Sequence, residues 1–368
     1  MQRTGSGILY SASDLVNYLE CEHLTTLDLI DLETPLQRTE SSDEAKLIQA
    51  KGYAHEADFL EVLKGRHDSF VDISAAGGNL DQKVAATAQA MHEGKDIIFQ
   101  ATLRDGCLIG HADFLRRVSS PSLLGNWSYE VLDTKLARSS KAKFVIQLGF
   151  YSALVAKVQG LQPVLMHVVL GDRTEAVYRT ADYARYLNLL ILRFLDRVTG
   201  SALETYPVPC EKCDLCKWSG ICEATRLKDD HLCQVANITR LQIRKLESAG
   251  VATLKALARL PTEARIPKMA AETLDTLHHQ ARLQLLARET GQNQLELLPP
   301  QLEALRGLGR LPRPDAGDLF FDMEGDPLEE GGLEYLFGLY FLRRDQPEFK
   351  TFWAHSHPAG RAVPASPP

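Results

Sequence analysis

The chain has no run of about twenty apolar residues, the length a helix needs to cross a bilayer, and its first residues lack the basic-then-apolar pattern of a secretory signal. A cytoplasmic protein with no membrane partner is therefore expected. There is no Gly-x-x-x-x-Gly-Lys-[Ser/Thr] phosphate loop, so the chain is not expected to be an ATP-driven motor in its own right. Positive charge is not in excess: 41 Lys and Arg face 48 Asp and Glu, for a net charge of -7. Contact with a nucleic acid would have to come from local basic surface, for which Arg116, Arg117, Lys135, Arg138, Lys141 and Lys143 are candidates. What is present is ordinary for a globular protein, with 45% hydrophobic and 24% charged residues, so disorder is not expected. A length of 368 residues suffices for two or three domains with a buried core. The seven cysteines, in a reducing compartment, read as thiols or metal ligands rather than as disulfides.

The most informative stretch runs from Gly110 to Tyr151. Alternation predicts strands at about 96 to 103, 107 to 118 and 127 to 135, with turns at Arg104-Asp105-Gly106 and Ser119 to Asn126. A helix follows at about 141 to 159, then a fourth strand from Pro163 to Leu170. On the third strand Asp133 and Lys135 are two apart and share a face, whereas Glu130 points to the other. On the helix Gln147 and Tyr151 are four apart and stack on one side. An extended-then-helical segment of this kind gathers Asp113, Asp133, Lys135, Gln147 and Tyr151 into one pocket.

These residues, as Gly110-x-x-Asp113, Asp133-x-Lys135 and Gln147-x-x-x-Tyr151, resemble in order and type the motifs of the RecB-like branch of the PD-(D/E)XK nuclease superfamily. The resemblance implies an α/β fold: a PD-(D/E)XK restriction-endonuclease-like mixed sheet flanked by helices. It implies an Mg²⁺- or Mn²⁺-dependent deoxyribonuclease, an exonuclease or single-strand nuclease acting in DNA repair, recombination or defence. Asp113 and Asp133 would be the principal metal ligands, since a carboxylate pair holding divalent ions can polarise a phosphate and acidify water. Lys135 would orient or help deprotonate the water, with Gln147 and Tyr151 in support. A helix predicted over Asp43 to Lys64 carries Gly52 and His55 where related nucleases place a glycine and a metal-facing histidine, so His55 is the implied third ligand. A bland alternative, an Asp113–Lys135 ion pair on a solvated sheet face, accounts for one pair and not for the ordered set.

The second informative stretch carries Cys210, Cys213, Cys216 and Cys222. Closely spaced cysteines in a short loop are a metal signal, and these four could bind a structural Zn²⁺ among themselves. Alternatively, Cys213-x2-Cys216-x5-Cys222 resembles the tail of iron-sulfur nucleases of the same branch, where one remote amino-terminal cysteine completes a [4Fe-4S] cluster. Cys21, at the end of a helix that begins at the N-cap Ser11 to Asp14, occupies that place. Cys210 is then the surplus thiol and the alternative ligand. Cys107 and Cys233 read as ordinary buried thiols.

Residues 1–230 are thus expected to form the nuclease domain with its cysteines. Residues 231–296 read as helical, with two short helices around Ser248-Ala249-Gly250-Val251 that resemble a DNA-contacting helix-hairpin-helix, and a further helix at about 270 to 290. Residues 297–317, rich in Pro, Gly and Arg, read as a linker, and 354–368 as a disordered tail. Residues 318–353 are expected to form two antiparallel strands, and Asp322-Met323-Glu324 resembles the first motif of RNase H-like exonucleases, here an incomplete domain. The whole arrangement resembles bacterial RecB-like nucleases carrying such a second domain, often followed by a helicase, which makes a helicase an expected partner alongside single-stranded or free-ended DNA. The alternative from a different class is a non-catalytic nucleic-acid-binding or scaffold protein with a structural zinc site.

Overall fold

The computed structural model describes the chain except residues 6, 76, 201–203, 298–306, 327, 328, 330, 331 and 356–368. It divides into two compact units, Met1–Gln294 and Leu295–Pro368. Most of the expected linker at 297–317 and of the expected tail at 354–368 lies outside the described residues. No helix among the described residues is long and apolar enough to cross a membrane.

The first unit opens with β1 (Gln2–Thr4), β2 (Gly7–Ser11), α1 (Ala12–Glu20), α2 (Glu22–Glu33) and α3 (Asp43–Lys64). It continues through β3 (Phe70–Asp72), α4 (Leu80–His92), β4 (Ile97–Asp105), β5 (Leu108–Val118) and β6 (Ser128–Thr134). There follow α5 (Ala142–Gln159), β7 (Leu165–Val169), β8 (Glu175–Arg179) and α6 (Thr180–Thr199). Helix α1 starts where its cap dictates: Ser11 Oγ accepts from the Asp14 amide at 3.3 Å, and the Asp14 carboxylate accepts from the Ser11 amide at 2.8 Å. Asp14 is itself buried and also receives the amino terminus at 2.7 Å.

The strands form one mixed, eight-stranded sheet. The long antiparallel ribbon β4–β5–β6 is its centre, β7 adds parallel to β6, and β8 closes that side antiparallel to β7. Alternation along the strands separates two cores. Leu115, Val131, Met166 and Val168 face α5, whose Leu148, Phe150, Leu154 and Val155 are buried, with α1 and α6 behind it. Phe114, Leu132 and Val169 face the other way, onto Leu60 and Leu63 of α3. Being sheathed by sheet and helices together, α5 is apolar on nearly every side, the pattern of a central helix rather than a surface one. The sheet is therefore flanked by helices on both faces, a mixed α/β architecture.

Glu130 falls on the α3 side of β6, as its offset from Asp133 requires, and is buried there. It accepts from the Leu165 amide at 3.0 Å and lies 3.0 Å from His167 Nε2. Arg116 is bound into the same network through Glu175 at 3.1 Å, and Arg117 pairs with Asp96 at 2.6 Å. These two arginines, expected as DNA-facing charge, thus serve as ties within the sheet.

Beyond a 3-10 turn at Glu211–Leu215 and α7 (Ser219–Lys228), α8 (Arg240–Ser248), α9 (Leu254–Ala258) and α10 (Ala271–Thr290) pack around their own core, which includes Leu232, Leu246, Leu254, Leu257 and Leu277. Gly250 supplies the expected left-handed turn between α8 and α9, at φ 83°. This helical region has its own core yet belongs to the first compact unit.

The second unit has three strands rather than two: β9 (Leu319–Asp326), β10 (Leu333–Arg343) and β11 (Gln346–Trp353), antiparallel with β10 in the middle. The β10–β11 turn runs through Arg344 and Asp345, both left-handed, at φ 50° and 61°, which is the turn geometry a tight hairpin favours.

Candidate functional site

Strand β5 is flanked on one side by β4 along most of its length and on the other by two partners at its two ends. Tyr10 and Ser11 of β2 pair with Leu108 and Ile109, while β6 pairs from Phe114 to Val118. Between them the edge of β5 at residues 110–113 has no strand beside it among the described residues. The last β5–β6 pair is Phe114↔Leu132, so the next positions, Asp113 and Asp133, face one another where the strands part. A ladder that opened here for no purpose would leave backbone groups unmet. Instead the Thr134 amide donates to Asp113 Oδ2 at 3.2 Å, and the Lys135 amide continues β6 along β7 by donating to Val169 O at 2.8 Å.

Two carboxylates are thus brought together by strand register. Asp133 is fully buried, and the Lys135 ammonium lies 2.5 Å from its Oδ2. Burial, with the facing charge of Asp133, pushes Asp113 well above the usual carboxylate range. Burial works against the charge on Lys135, yet the carboxylates of Asp133 and Asp113 outweigh it and raise its pKa, so the ammonium stays charged. A charged ammonium here suits holding and neutralising an anion better than accepting a proton.

Helix α5 supplies the other wall. Gln147 Nε2 donates to the Tyr151 hydroxyl at 3.0 Å. Burial, then the Asp133 charge, pushes the Tyr151 phenol up, which places it beside the carboxylates as a neutral donor. Gly110 is glycine because the ring leans on it: a Cβ there would lie 2.7 Å from Leu154 Cδ1 and 2.9 Å from Tyr151 Cδ1. Asp113, Asp133, Lys135, Gln147 and Tyr151 therefore lie around one place, together with the glycine that precedes them.

His55 lies on α3 with a buried Nε2 that has no hydrogen-bond partner. The α3 carboxylate whose charge reaches the pair belongs to its neighbour Glu56, a residue the sequence reading passes over. Burial raises Glu56, a hydrogen bond from Gln100 lowers it, and Asp133 raises it further. Gln100 sits in β4 between the pairs Phe99↔Phe114 and Ala101↔Ala112, directly opposite Asp113. Its backbone is left-handed, at φ 51°, strained for a non-glycine residue inside a strand. Gln100, Asp113 and Asp133 thus form a row across three strands, with Glu56 held at its end. Neither Glu56 nor Gln100 carries a spacing signal beyond the adjacency of Glu56 to His55.

Away from this row, Cys21 sits at the joint between α1 and α2, Cys210 and Cys216 bracket the 3-10 turn that contains Cys213, and Cys222 lies on α7. All five line a single cavity with Trp218, Lys212 and Arg226. Cys210 Sγ and Cys213 Sγ are 3.9 Å apart. Burial pushes the Cys210 and Cys222 thiols up to about 11, and both feel the charges of Cys21 and Cys213. Both candidates for the fourth ligand, the remote Cys21 and the local Cys210, therefore reach the same cavity. Trp218 is fully buried and donates through Nε1 to Asp28 of α2 at 2.7 Å, which fastens the loop to the amino-terminal helices. Cys107 precedes β5 in a turn and Cys233 lies in a 3-10 turn, and both are half-buried rather than buried.

Among the described residues no group of three or more His, Cys, Asp and Glu is drawn together closely enough to hold a metal ion as the side chains stand. The donor chemistry nonetheless fits two kinds of group. Two facing buried carboxylates and, on α3, a buried imidazole nitrogen with no hydrogen-bond partner among the described residues suit a hard divalent cation. Five cysteines lining one cavity suit a thiolate-bound centre, where the metal displaces the thiol proton. No protein-family model matches the chain, and no curated protein matches it.

Proposed function

We propose that the chain is a metal-dependent DNA nuclease of the PD-(D/E)XK type that hydrolyses phosphodiester bonds in single-stranded or free-ended DNA. The observation that supports this most is the register that sets Asp113 against Asp133 where β5 and β6 part, with Lys135 ion-paired at their side. Asp113 and Asp133, assisted by His55 and Glu56, would hold Mg²⁺ or Mn²⁺. When bound, the ion supplies polarisation of the phosphate and a more acidic water. Lys135 directs its ammonium at the phosphate oxygens and offsets their charge. Gln147 fixes the Tyr151 hydroxyl, which stays protonated and donates toward the carboxylate pair or the substrate. The cysteines at the cavity shared by Cys21, Cys210, Cys213, Cys216 and Cys222 would hold a [4Fe-4S] cluster, with Zn²⁺ as the other candidate. Its role would be to tie the α1–α2 joint to α7, and the setting would be DNA repair, recombination or defence beside a helicase.

The test is cleavage of an end-labelled single-stranded oligonucleotide with and without Mn²⁺. Wild type is expected to cut only with the ion, and Asp113→Ala and Lys135→Ala are each expected to lose at least about a hundredfold in rate. Undiminished cutting by both variants would sink the assignment.

A further inference from the structure

A cleft of about 200 Å³ opens beside Gln147, lined by Asn17, Glu20, Lys143, Phe144 and Lys212 among others. Lys143 is one helical turn before Gln147 on α5, and Lys212 stands between Cys210 and Cys213. The two ammonium groups come from distant parts of the chain and meet at one carboxylate: Lys143 Nζ lies 3.2 Å from Glu20 Oε1, and Lys212 Nζ lies 3.5 Å from Glu20 Oε2. The amino-terminal end of α5 opens in this region, and no side chain caps its first amides, so its dipole adds to the positive field. Phe144 joins the cleft to the catalytic row, because the Lys135 ammonium lies 5.7 Å from its ring centroid. On the far side of Glu20 a second cleft continues past Tyr18, Cys21, Tyr186 and Arg240.

We propose that Lys143 and Lys212 form a phosphate-binding position for a single DNA strand, one step from the scissile bond, and that Glu20 occupies that position when DNA is absent. The Glu20 carboxylate stands where a phosphodiester oxygen pair would sit. The Lys143 side of the pairing is partly solvated, with Lys143 41% exposed, so that pair is weak and exchangeable, while Glu20 Oε2, on the Lys212 side, is buried. A strand following this line would run from Lys135 past Phe144, between the two lysines and on toward the exposed ring of Tyr186, which offers a face for base stacking. The cysteine centre would then act on DNA binding through Lys212, which its loop positions. This inference rests on the nuclease reading for the identity of the strand.

The experiment is fluorescence anisotropy of a labelled oligo-dT with the full chain in EDTA, which separates binding from cutting, across a series of salt concentrations. Lys143→Ala and Lys212→Ala are each expected to weaken binding about five- to tenfold and to reduce the salt slope by about 0.7. Lys143→Arg and Lys212→Arg are expected to restore both, which a merely misfolded loop would not allow. Glu20→Gln is expected to tighten binding. Unchanged affinity and slope in both alanine variants would overturn the proposal, as would weaker binding by Glu20→Gln. If the variants behave as expected while wild type fails to cut in Mn²⁺, the phosphate position stands and the nuclease reading falls. If wild type cuts and the lysine variants bind normally, the reverse holds.

Discussion

Asp113 carries the cost of a carboxylate buried beside another carboxylate. Its pKa is raised from the ordinary value of 3.8 by burial and by Asp133, so the folded, metal-free protein holds a proton there more firmly than the unfolded chain does. The associated stability is fully present below the unfolded value and is lost as pH rises through the raised folded one. Glu56, also raised, acts with the same sign. In EDTA the melting temperature is therefore expected to fall as pH rises above the ordinary carboxylate range. Asp113→Asn should shrink that fall, and Mn²⁺ should offset it in wild type but not in the variant. An identical fall in Asp113→Asn would show that the carboxylate is not under this strain. The residues behind the prediction differ in how far the sequence reveals them. Asp133 and Lys135 follow from strand alternation, and the need for Gly110 becomes clear once a tyrosine is placed on it. Gln100 could not be found that way, because a left-handed residue within a strand contradicts the alternation by which strands are recognised.

Length alone did not decide which elements were legible: the short α8 and α9 were read from their glycine turn, whereas the twenty-residue α6 and the twelve-residue α2 were not read. β4, β5, β6, α3 and α5 lie within a few residues of where periodicity puts them. β1 and β3, of three residues each, have too few side chains to show a period, and they exist through pairing with β2 and β4. The approach of Cys21 to the cysteine loop is a matter of packing: Leu24, Leu27, Trp218 and Cys222 share one small core, and the Trp218–Asp28 hydrogen bond closes it. Since both Cys21 and Cys210 reach the cavity, the ligand set is an experimental question with opposite outcomes. Protein purified without oxygen is expected to be brown, with a broad band near ~400 nm, lost in Cys21→Ala and kept in Cys210→Ala. A colourless protein that holds zinc and is indifferent to Cys21→Ala would instead mean a site local to the loop.

At the scale of the whole molecule the two units differ in what they bury. The first has cores on both faces of its sheet and a further one among α8, α9 and α10. In the second, neighbouring residues of β9 that point to opposite faces are all open, with Phe320 64%, Phe321 55% and Met323 54% exposed, and Phe349 and Trp353 of β11 add to them. Within that sheet β9 and β11 are both edges. An apolar sheet with two open faces and two open edges invites association. Asp322 and Glu324, two apart on β9, share one face as a D-x-E pair must, but they are exposed and have no third carboxylate gathered to them among the described residues. The row of Gln100, Asp113 and Asp133, the lysine pair and the cysteine cavity all lie before Gln294. A chain ending at Gln294 is therefore expected to melt within a few degrees of the full chain, to keep Mn²⁺-dependent cutting, and to stay monodisperse in size-exclusion chromatography at concentrations where the full chain aggregates. Loss of folding or of cutting on removing residues 295–368 would mean that the second unit supports the first.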